Sequence, residues 1–220
     1  MSLLEVDDVQ ITYRMPGDDV YAVNNISFSI NEGDNYGLVG ESGCGKSTLA
    51  KSVLGLLDDN GEVRSGSIRF DGNELLELSE RDWQSVRWED IAYIPQSAID
   101  SLDPVMTVGA QIRQAIRKHW DVSKAEANER VAEVFEMVGL DPVRTGDHPH
   151  QFSGGMRQRV TIAMALALDP DLIIADEPTT GLDVIVQDKI LNTLMELQAK
   201  LGSSLLLITH DVGVVAETCD

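Results

Sequence analysis

A glycine-rich stretch constrains the fold of this chain more than any other feature. Its sequence, Gly40-Glu41-Ser42-Gly43-Cys44-Gly45-Lys46-Ser47-Thr48, matches the pattern G-x-x-x-x-G-K-[ST]. The short apolar run 36–39 precedes it, and the pattern of residues 46–57 predicts a helix directly after it. Glycines let backbone N–H groups converge on phosphate oxygens, and the start of a helix adds the positive end of its dipole. The stretch 40–48, called the phosphate loop below, therefore predicts a phosphate-binding turn between a strand and a helix.

Two residues of the phosphate loop have distinct expected roles. Lys46 would reach the β- and γ-phosphates of a nucleotide, and the hydroxyl of Ser47 would ligate Mg²⁺. The alternative is a glycine-rich turn that only caps a helix, and the Lys-Ser pair argues against it. We expect nucleotide contacts from Gly40, Ser42, Gly43, Cys44, Gly45, Lys46, Ser47 and Thr48.

Two later apolar runs also end in polar residues. Residues 172–175 lead into Asp176 and Glu177, and residues 205–208 lead through Thr209 to His210. In parallel sheets, ligand-binding groups gather beyond the carboxyl ends of the strands. Asp176 can hold Mg²⁺, and Glu177 can take a proton from an attacking water. The alternative is that these residues cap the helices that follow.

The rest of the chain alternates between strand and helix patterns. The pattern turns helical between about 97 and 168, where Ser123 and Glu126 form a capping box. A helix is predicted over 184–201, before Gly202. Short apolar strands alternating with helices indicate a parallel sheet covered on both faces. Further strands are predicted over 3–13, 26–30, 67–70 and 91–94.

Charge excludes some classes of partner. Lysine and arginine together number 17, aspartate and glutamate 37, and the net charge is −20. Such a surface repels phosphate backbones, so we expect no nucleic-acid partner and no broad contact with anionic lipid. Adaptation to a salt-rich cytoplasm is one hypothesis for this acidity, and a moderately acidic mesophilic protein is the alternative. The two cysteines, Cys44 and Cys219, have no metal-ligand spacing and indicate neither a disulfide framework nor a zinc module.

Four further motifs give the chain a family resemblance. Phe152-Ser153-Gly154-Gly155-Met156-Arg157-Gln158-Arg159 resembles the signature of ABC-type ATPases, whose usual form begins Leu-Ser-Gly-Gly. Gln96 resembles the glutamine of the family's Q-loop, Gly181-Leu182-Asp183 its D-loop, and His210 its switch histidine. The motifs follow the family's order over essentially the full chain. The chain therefore resembles the ATP-binding subunit of an ABC transporter.

The resemblance implies roles for particular residues. It implies ATP and Mg²⁺ as cofactors, with Ser47, Gln96 and Asp176 at the metal. It implies catalytic roles for Glu177, His210 and Gln96. It also implies a head-to-tail dimer, in which Ser153, Gly154, Gly155 and Asp183 of one subunit meet the nucleotide held by the other. Tyr13 is similar to the family's aromatic adenine-stacking residue, with Tyr21 as its rival.

The implied fold class is α/β: a P-loop NTPase (RecA-like) core with a parallel sheet, an N-terminal antiparallel β subdomain and an inserted helical subdomain. We expect the core over 1–96 and 169–220, with the β subdomain near 1–35 and 61–72. The helical subdomain is expected over 97–168. Members of the family continue beyond the equivalent of Asp220, so the C-terminal part of the family pattern is expected to be missing.

Three segments resemble the oligopeptide and dipeptide importer branch, which also contains nickel importers: 94–109, 148–160 and 176–184. This implies membrane permease subunits as partners, an extracytoplasmic substrate-binding protein as an indirect one, and a second ATPase subunit in a homo- or heterodimer. We expect a peripheral location at the cytoplasmic face of the cell membrane. The alternatives are nickel import, an ABC ATPase uncoupled from transport, and a nucleotide-binding regulator that does not turn over.

The segment after Gln96 is a candidate contact for the permease. Residues 97–106 include the small or apolar side chains of Ala98, Ile99, Leu102, Val105 and Met106. An apolar groove there would suit a docking helix from a permease. The alternative is internal packing of the helical subdomain.

Overall fold

The computed structural model describes residues 2–219, apart from the side chains of residues 99 and 100. Within this range, none of the helices combines the length and the apolar character needed to cross a membrane. The strands are β1 (Ser2–Tyr13), β2 (Val20–Asn31), β3 (Asn35–Val39), β4 (Gly61–Phe70), β5 (Asn73–Glu74), β6 (Ile91–Ile94), β7 (Leu172–Asp176) and β8 (Ser204–Thr209). The α-helices are α1 (Lys46–Val53), α2 (Glu80–Val86), α3 (Ala98–Ser101), α4 (Val108–His119), α5 (Lys124–Met137), α6 (Gly154–Ala165), α7 (Val184–Leu201) and α8 (Val212–Thr218).

The chain forms two compact units. The first unit comprises the chain up to Arg87 and from Ser204 onward, and the second is Trp88–Ser203. The helical subdomain expected over 97–168 falls inside the second unit, and its boundaries stay a prediction. The predicted fold class is confirmed, because the structure contains both the antiparallel and the parallel pairings that this class requires.

An antiparallel sheet forms much of the first unit. Its strand order is β2-β1-β4-β5, so β1 lies between two partners. Leu4 and Val6 are buried at alternate positions, as are Val9 and Ile11, and the register with β2 shifts between the two pairs. Alternation within each pair places apolar side chains on a core. The strand predicted over 26–30 is longer than expected, because residues 20–23 also pair with β1, up to Tyr13 opposite Val20.

A parallel pair of strands carries the phosphate loop in the same unit. β3 pairs with β8 in register, with Leu38 opposite Ile208. α8 contacts both strands and approaches β3 closely at Gly37, where an added Cβ would lie 2.4 Å from a methyl carbon of Val215. The phosphate loop follows β3 and leads into α1, which is the strand–loop–helix order predicted from the sequence.

The helix after the loop is shorter than predicted. It ends at Val53 rather than Leu57, because Gly55 adopts a φ of +60° and reverses the chain. Gly55 N–H bonds the carbonyl of Ser52, and Leu56 N–H bonds that of Lys51. These two bonds form a Schellman motif, which satisfies the last carbonyls of the helix.

The second unit combines a parallel strand pair with helices. β6 pairs with β7, with Tyr93 opposite Ile174, and every residue of β7 is buried. The predicted capping box at the start of α5 is confirmed: Ser123 Oγ accepts from Glu126 N, and Ser123 N donates to Glu126 Oε2 at 2.8 Å. The predicted bounds of α7 are also confirmed, with Gly202 at a φ of +72° ending it. The helix after the signature ends at Ala165 and continues to Leu168 as a 3₁₀ turn.

Candidate functional site

The backbone of the phosphate loop requires glycine at defined positions. Gly43 and Gly45 have φ of +82° and +99°, a region that L-residues with side chains rarely adopt. A Cβ added to Gly45 would lie 2.1 Å from the carbonyl oxygen of Ala22. Gly45 is also the N-cap of α1, and glycine has no side chain to accept hydrogen bonds from the first turn. The N–H groups at this helix start therefore remain suited to an anionic ligand.

The side chain of Lys46 folds back onto the loop. It is only 8% exposed, and its Nζ donates to the carbonyl oxygens of Gly40 and Glu41, both at 2.8 Å. Nζ also lies 3.9 Å from Sγ of Cys44. The ammonium is thus held inside the curve of the loop. Among the other polar residues of the loop, Ser42, Cys44 and Ser47 are exposed and Thr48 is half-buried.

The two candidate adenine-stacking tyrosines lie on neighbouring strands. Tyr13 is half-buried at the end of β1, where its ring covers Gly61 of β4. Tyr21 is on β2 and is 58% exposed. Tyr13 therefore has one side of its ring covered, while Tyr21 has more exposed surface.

His210 follows β8 directly and is exposed. The next residue, Asp211, caps α8 by accepting from the N–H of Gly213 at 2.8 Å. The capping role considered for this strand end therefore belongs to Asp211, which leaves the His210 side chain outside the cap.

In the second unit, β7 ends in a buried carboxylate. Asp176 is 3% exposed, and its Oδ2 accepts a hydrogen bond of 2.9 Å from the hydroxyl of Tyr93. Its Oδ1 is buried and has no hydrogen-bond partner within the part of the chain that the structure describes. An unpartnered buried carboxylate oxygen is costly, and a cation ligand would satisfy it. The donor set at Asp176 therefore fits a Mg²⁺ ligand.

One carboxylate oxygen of Glu177 accepts hydrogen bonds from two side chains. Gln96 Nε2 donates to Glu177 Oε2 at 3.0 Å, and Thr180 Oγ1 donates to the same oxygen at 2.8 Å. The backbone of Glu177 has a φ of +46°, which is unusual for a residue with a side chain. The structure thus brings together Gln96 and Glu177, which are 81 positions apart in the sequence.

The signature segment begins a helix that packs on the start of α7. Ser153 is the N-cap of α6, and its hydroxyl accepts from Met156 N–H. Gly155 approaches α7 so closely that an added Cβ would lie 2.6 Å from Cγ1 of Val186. Asp183 caps α7 by accepting from Val186 N–H at 3.1 Å. Ser153, Gly154 and Asp183 are exposed, and Gly155 is half-buried.

The structure adds two residues that the sequence analysis missed. Tyr93 contacts Asp176, and Thr180 contacts Glu177. A signal for Tyr93 existed, because a tyrosine within an apolar buried strand needs a partner for its hydroxyl. Its partner could not be identified without the register between β6 and β7.

Solved structures show the class of protein that this fold defines. One, titled "Dimeric structure of a post-hydrolysis state of the ATP-binding cassette MJ0796 bound to ADP and Pi", superposes with a TM-score of 0.86 at 30% identity. That match covers 96% of this chain and 89% of the other. Another, cbiO1 from Clostridium perfringens, described as part of the ABC transporter complex cbiONQ, gives a TM-score of 0.84 at 27% identity, covering 100% and 82%. The fold is that of an ATP-binding cassette.

The family follows from the sequence comparison. A family model described as "ABC transporter" matches residues 23–180, and the chain belongs to this family. The "Dipeptide transport ATP-binding protein DppD" of Lactococcus lactis is 45% identical over 97% of this chain and 62% of its own length. The "Oligopeptide transport ATP-binding protein OppD" of Salmonella typhimurium is 47% identical over 99% and 65%. The chain thus spans a little less than two thirds of the length of these curated relatives.

Proposed function

We propose that this chain is the ATP-hydrolysing motor subunit of an ABC importer that takes up peptides through a membrane permease. The observation that carries the proposal is the identity of 45% and 47%, over nearly the whole chain, to relatives named for dipeptide and oligopeptide transport. These names favour peptide over nickel as the imported substrate. They also favour transport over an ATPase uncoupled from it.

The phosphate loop binds the triphosphate of ATP in this proposal. Lys46 exchanges the carbonyls of Gly40 and Glu41 for phosphate oxygens, whose negative charge adds a direct attraction to the ammonium. The N–H groups at the start of α1 bind the same anion. Tyr13 stacks on adenine, with Tyr21 as the alternative.

Mg²⁺ would bind together with the nucleotide. When bound, the ion would neutralise charge that develops on the phosphates. Asp176, Ser47 and Gln96 would hold it. The fit rests on the buried Oδ1 of Asp176, which lacks a hydrogen-bond partner among the described residues. Mg²⁺ is typically bound by one or two carboxylates together with phosphates, so a single buried aspartate and a hydroxyl suffice.

Glu177 acts as the general base for the attacking water, and His210 contacts the γ-phosphate. Gln96 and Thr180 fix the orientation of the Glu177 carboxylate through Oε2. A positioned base of this kind removes the proton as water attacks phosphorus. A Glu177 carboxylate oriented by two hydrogen bonds is expected of a hydrolytic site, and it argues against a regulator that binds ATP without turnover.

The complete site forms in a head-to-tail dimer, homo- or heterodimeric. Ser153, Gly154, Gly155 and Asp183 of one subunit contact the nucleotide on its partner. The exposed start of α6 supports this proposal, because Gly154 and Gly155 bring backbone donors to a helix N-terminus without side chains in the way.

We expect the specific activity of the chain to depend on its concentration. Because each site needs two subunits, phosphate release from Mg–ATP should rise with the square of protein concentration below the dimer dissociation constant, and linearly above it. The measurement is a dilution series with an inert carrier protein in every tube, which controls for adsorption. A rate strictly proportional to concentration throughout would contradict the dimeric site.

Part of the surface expected to contact the permease is buried, which corrects that expectation. Leu102 is only 4% exposed and Ala98 8%, so these two side chains pack within their own unit. The side chain of Ile99 lies outside the described residues. Internal packing, the alternative considered for this segment, therefore holds for Ala98 and Leu102, whereas Val105 is 80% exposed.

A groove beside this segment is the better candidate for docking. It is an open groove of about 460 Å³ and lies along α4. Its lining combines the apolar side chains of Met106 and Ala110 with three cations, Arg113, Arg117 and Lys118. These cations fit an acidic segment of the permease that lies at the cytoplasmic face of the membrane. The substrate-binding protein outside the membrane contacts the permease and not this chain.

The double substitution Arg117→Glu with Lys118→Glu should uncouple the motor. Like charges facing each other across an interface cost several kcal/mol, so we expect affinity for the permease to fall on the order of 100-fold. Basal hydrolysis without the permease should stay unchanged. The measurement is co-purification with permease subunits together with transport in liposomes, and Lys200→Glu, exposed on α7, is the matched control. Normal transport by the double variant would exclude this groove.

A further inference from the structure

Tyr93 occupies a defined place beside the candidate metal ligand. It lies on β6, and its register partner on β7 is Ile174. Asp176 is two residues beyond Ile174, so the two side chains emerge on the same face of the strand pair as diagonal neighbours. The hydroxyl of Tyr93 reaches across and donates to Oδ2 of Asp176 at 2.9 Å. The contact is thus built into the pairing of two strands rather than into a loop.

The two oxygens of Asp176 have different environments. Oδ2 accepts the phenol, whereas Oδ1 is buried without a hydrogen-bond partner among the described residues. A carboxylate that is fixed through one oxygen cannot rotate freely about its terminal bond. Its other oxygen is then held in one direction.

The phenol is the donor in this contact, and the carboxylate oxygen is the acceptor. An aspartate carboxylate has two acceptor oxygens, so the phenol uses Oδ2 and leaves Oδ1 for another ligand.

We infer that Tyr93 is a positioning residue that holds the Asp176 carboxylate so that Oδ1 faces the Mg²⁺ of bound ATP. The inference rests on the proposed function, because it assigns Tyr93 to the metal ligand of that site. Hydrogen-bonded partners of metal ligands fix ligand orientation, and their loss typically weakens metal binding by about 10- to 100-fold.

The test is Tyr93→Phe, which removes the hydroxyl and keeps the ring. We expect the affinity for Mn²⁺ to fall by about 10- to 100-fold in the 220-residue chain saturated with a non-hydrolysable ATP analogue. Calorimetry measures this affinity without turnover. Affinity for the analogue in EDTA should stay unchanged, and hydrolysis should recover at high Mg²⁺. Tyr36→Phe is the matched control, because that ring stacks on Phe28 in the first unit.

A double-mutant cycle with Asp176→Asn separates the inference from the proposed function. If Tyr93 acts through Asp176, Tyr93→Phe should weaken Mn²⁺ binding in the wild-type background and have no further effect in the Asp176→Asn background. Unchanged Mn²⁺ affinity in Tyr93→Phe, with a clear loss in Asp176→Asn, overturns the inference alone. An equal loss in both backgrounds also overturns it. Unchanged affinity in Asp176→Asn overturns the assignment of the metal ligand and the inference with it.

Discussion

Lys46→Ala is expected to abolish productive ATP binding while the fold persists. In the structure the ammonium makes two hydrogen bonds to loop carbonyls, at Gly40 and Glu41, and ATP would offer phosphate oxygens in their place. A hydrogen bond to a charged group contributes about 1.5–3 kcal/mol, so losing two should weaken binding on the order of 10²- to 10⁴-fold. Titration with a fluorescent ATP analogue measures the change.

The control for this variant is Lys51→Ala, on the same helix but outside the phosphate loop. It should bind ATP as the wild type does. Thermal unfolding followed by circular dichroism should show that both variants fold, because among the described residues the hydrogen bonds of the Lys46 side chain go to the phosphate loop itself. A Lys46→Ala protein that binds ATP with near-normal affinity would show that the loop does not bind the triphosphate through this residue.

Glu177→Gln should stop turnover and leave ATP binding intact. The amide oxygen of glutamine can still accept from Gln96 and Thr180, so the side chain keeps its place. It cannot accept the proton of the attacking water. A general base contributes on the order of 10²- to 10⁴-fold, and the rate of phosphate release should fall by that factor.

The same variant also reports on the dimer. ATP that is bound and not hydrolysed should stabilise the closed dimer by mass action, so a sizing column in Mg–ATP should show a larger species than for the wild type. Glu196→Gln, on α7 and away from the candidate site residues in the sequence, controls for the loss of one charge. Wild-type hydrolysis by Glu177→Gln would remove the residue from catalysis. An inactive variant that stays monomeric in saturating ATP would instead argue against the head-to-tail dimer.

The parts of the fold that could be predicted are those encoded by neighbouring residues. The phosphate loop lies between a strand and a helix as expected, because its glycines and its flanking apolar run determine that turn locally. The bounds of α7 follow from Asp183 as N-cap and Gly202 at the C-terminus. Both signals are read within a few residues, and no distant contact is needed to interpret them.

The parts that could not be predicted depend on distant pairings. The predicted end of α1 lies too late, because the leucines after Val53 continue an apolar pattern past Gly55. In the structure Gly55 contacts Trp83, where an added Cβ would lie 2.6 Å from the ring. The Tyr93–Asp176 contact spans 83 positions and depends on strand register. That contact is not visible in a local pattern, whereas Gly55 is a local helix-ending signal that the apolar pattern outweighed.

The left-handed backbone of Glu177 bears on how this protein can be engineered. At a φ of +46° a residue with a side chain is strained by on the order of 1 kcal/mol, and glycine would be relaxed there. A library sorted for heat resistance would gain this backbone relaxation from glycine at 177, although glycine removes the proposed general base and its contacts with Gln96 and Thr180. Selection for durability alone would in this way discard the residue proposed for catalysis. Any stabilisation campaign on this chain should keep position 177 fixed, or sort for turnover in the same round.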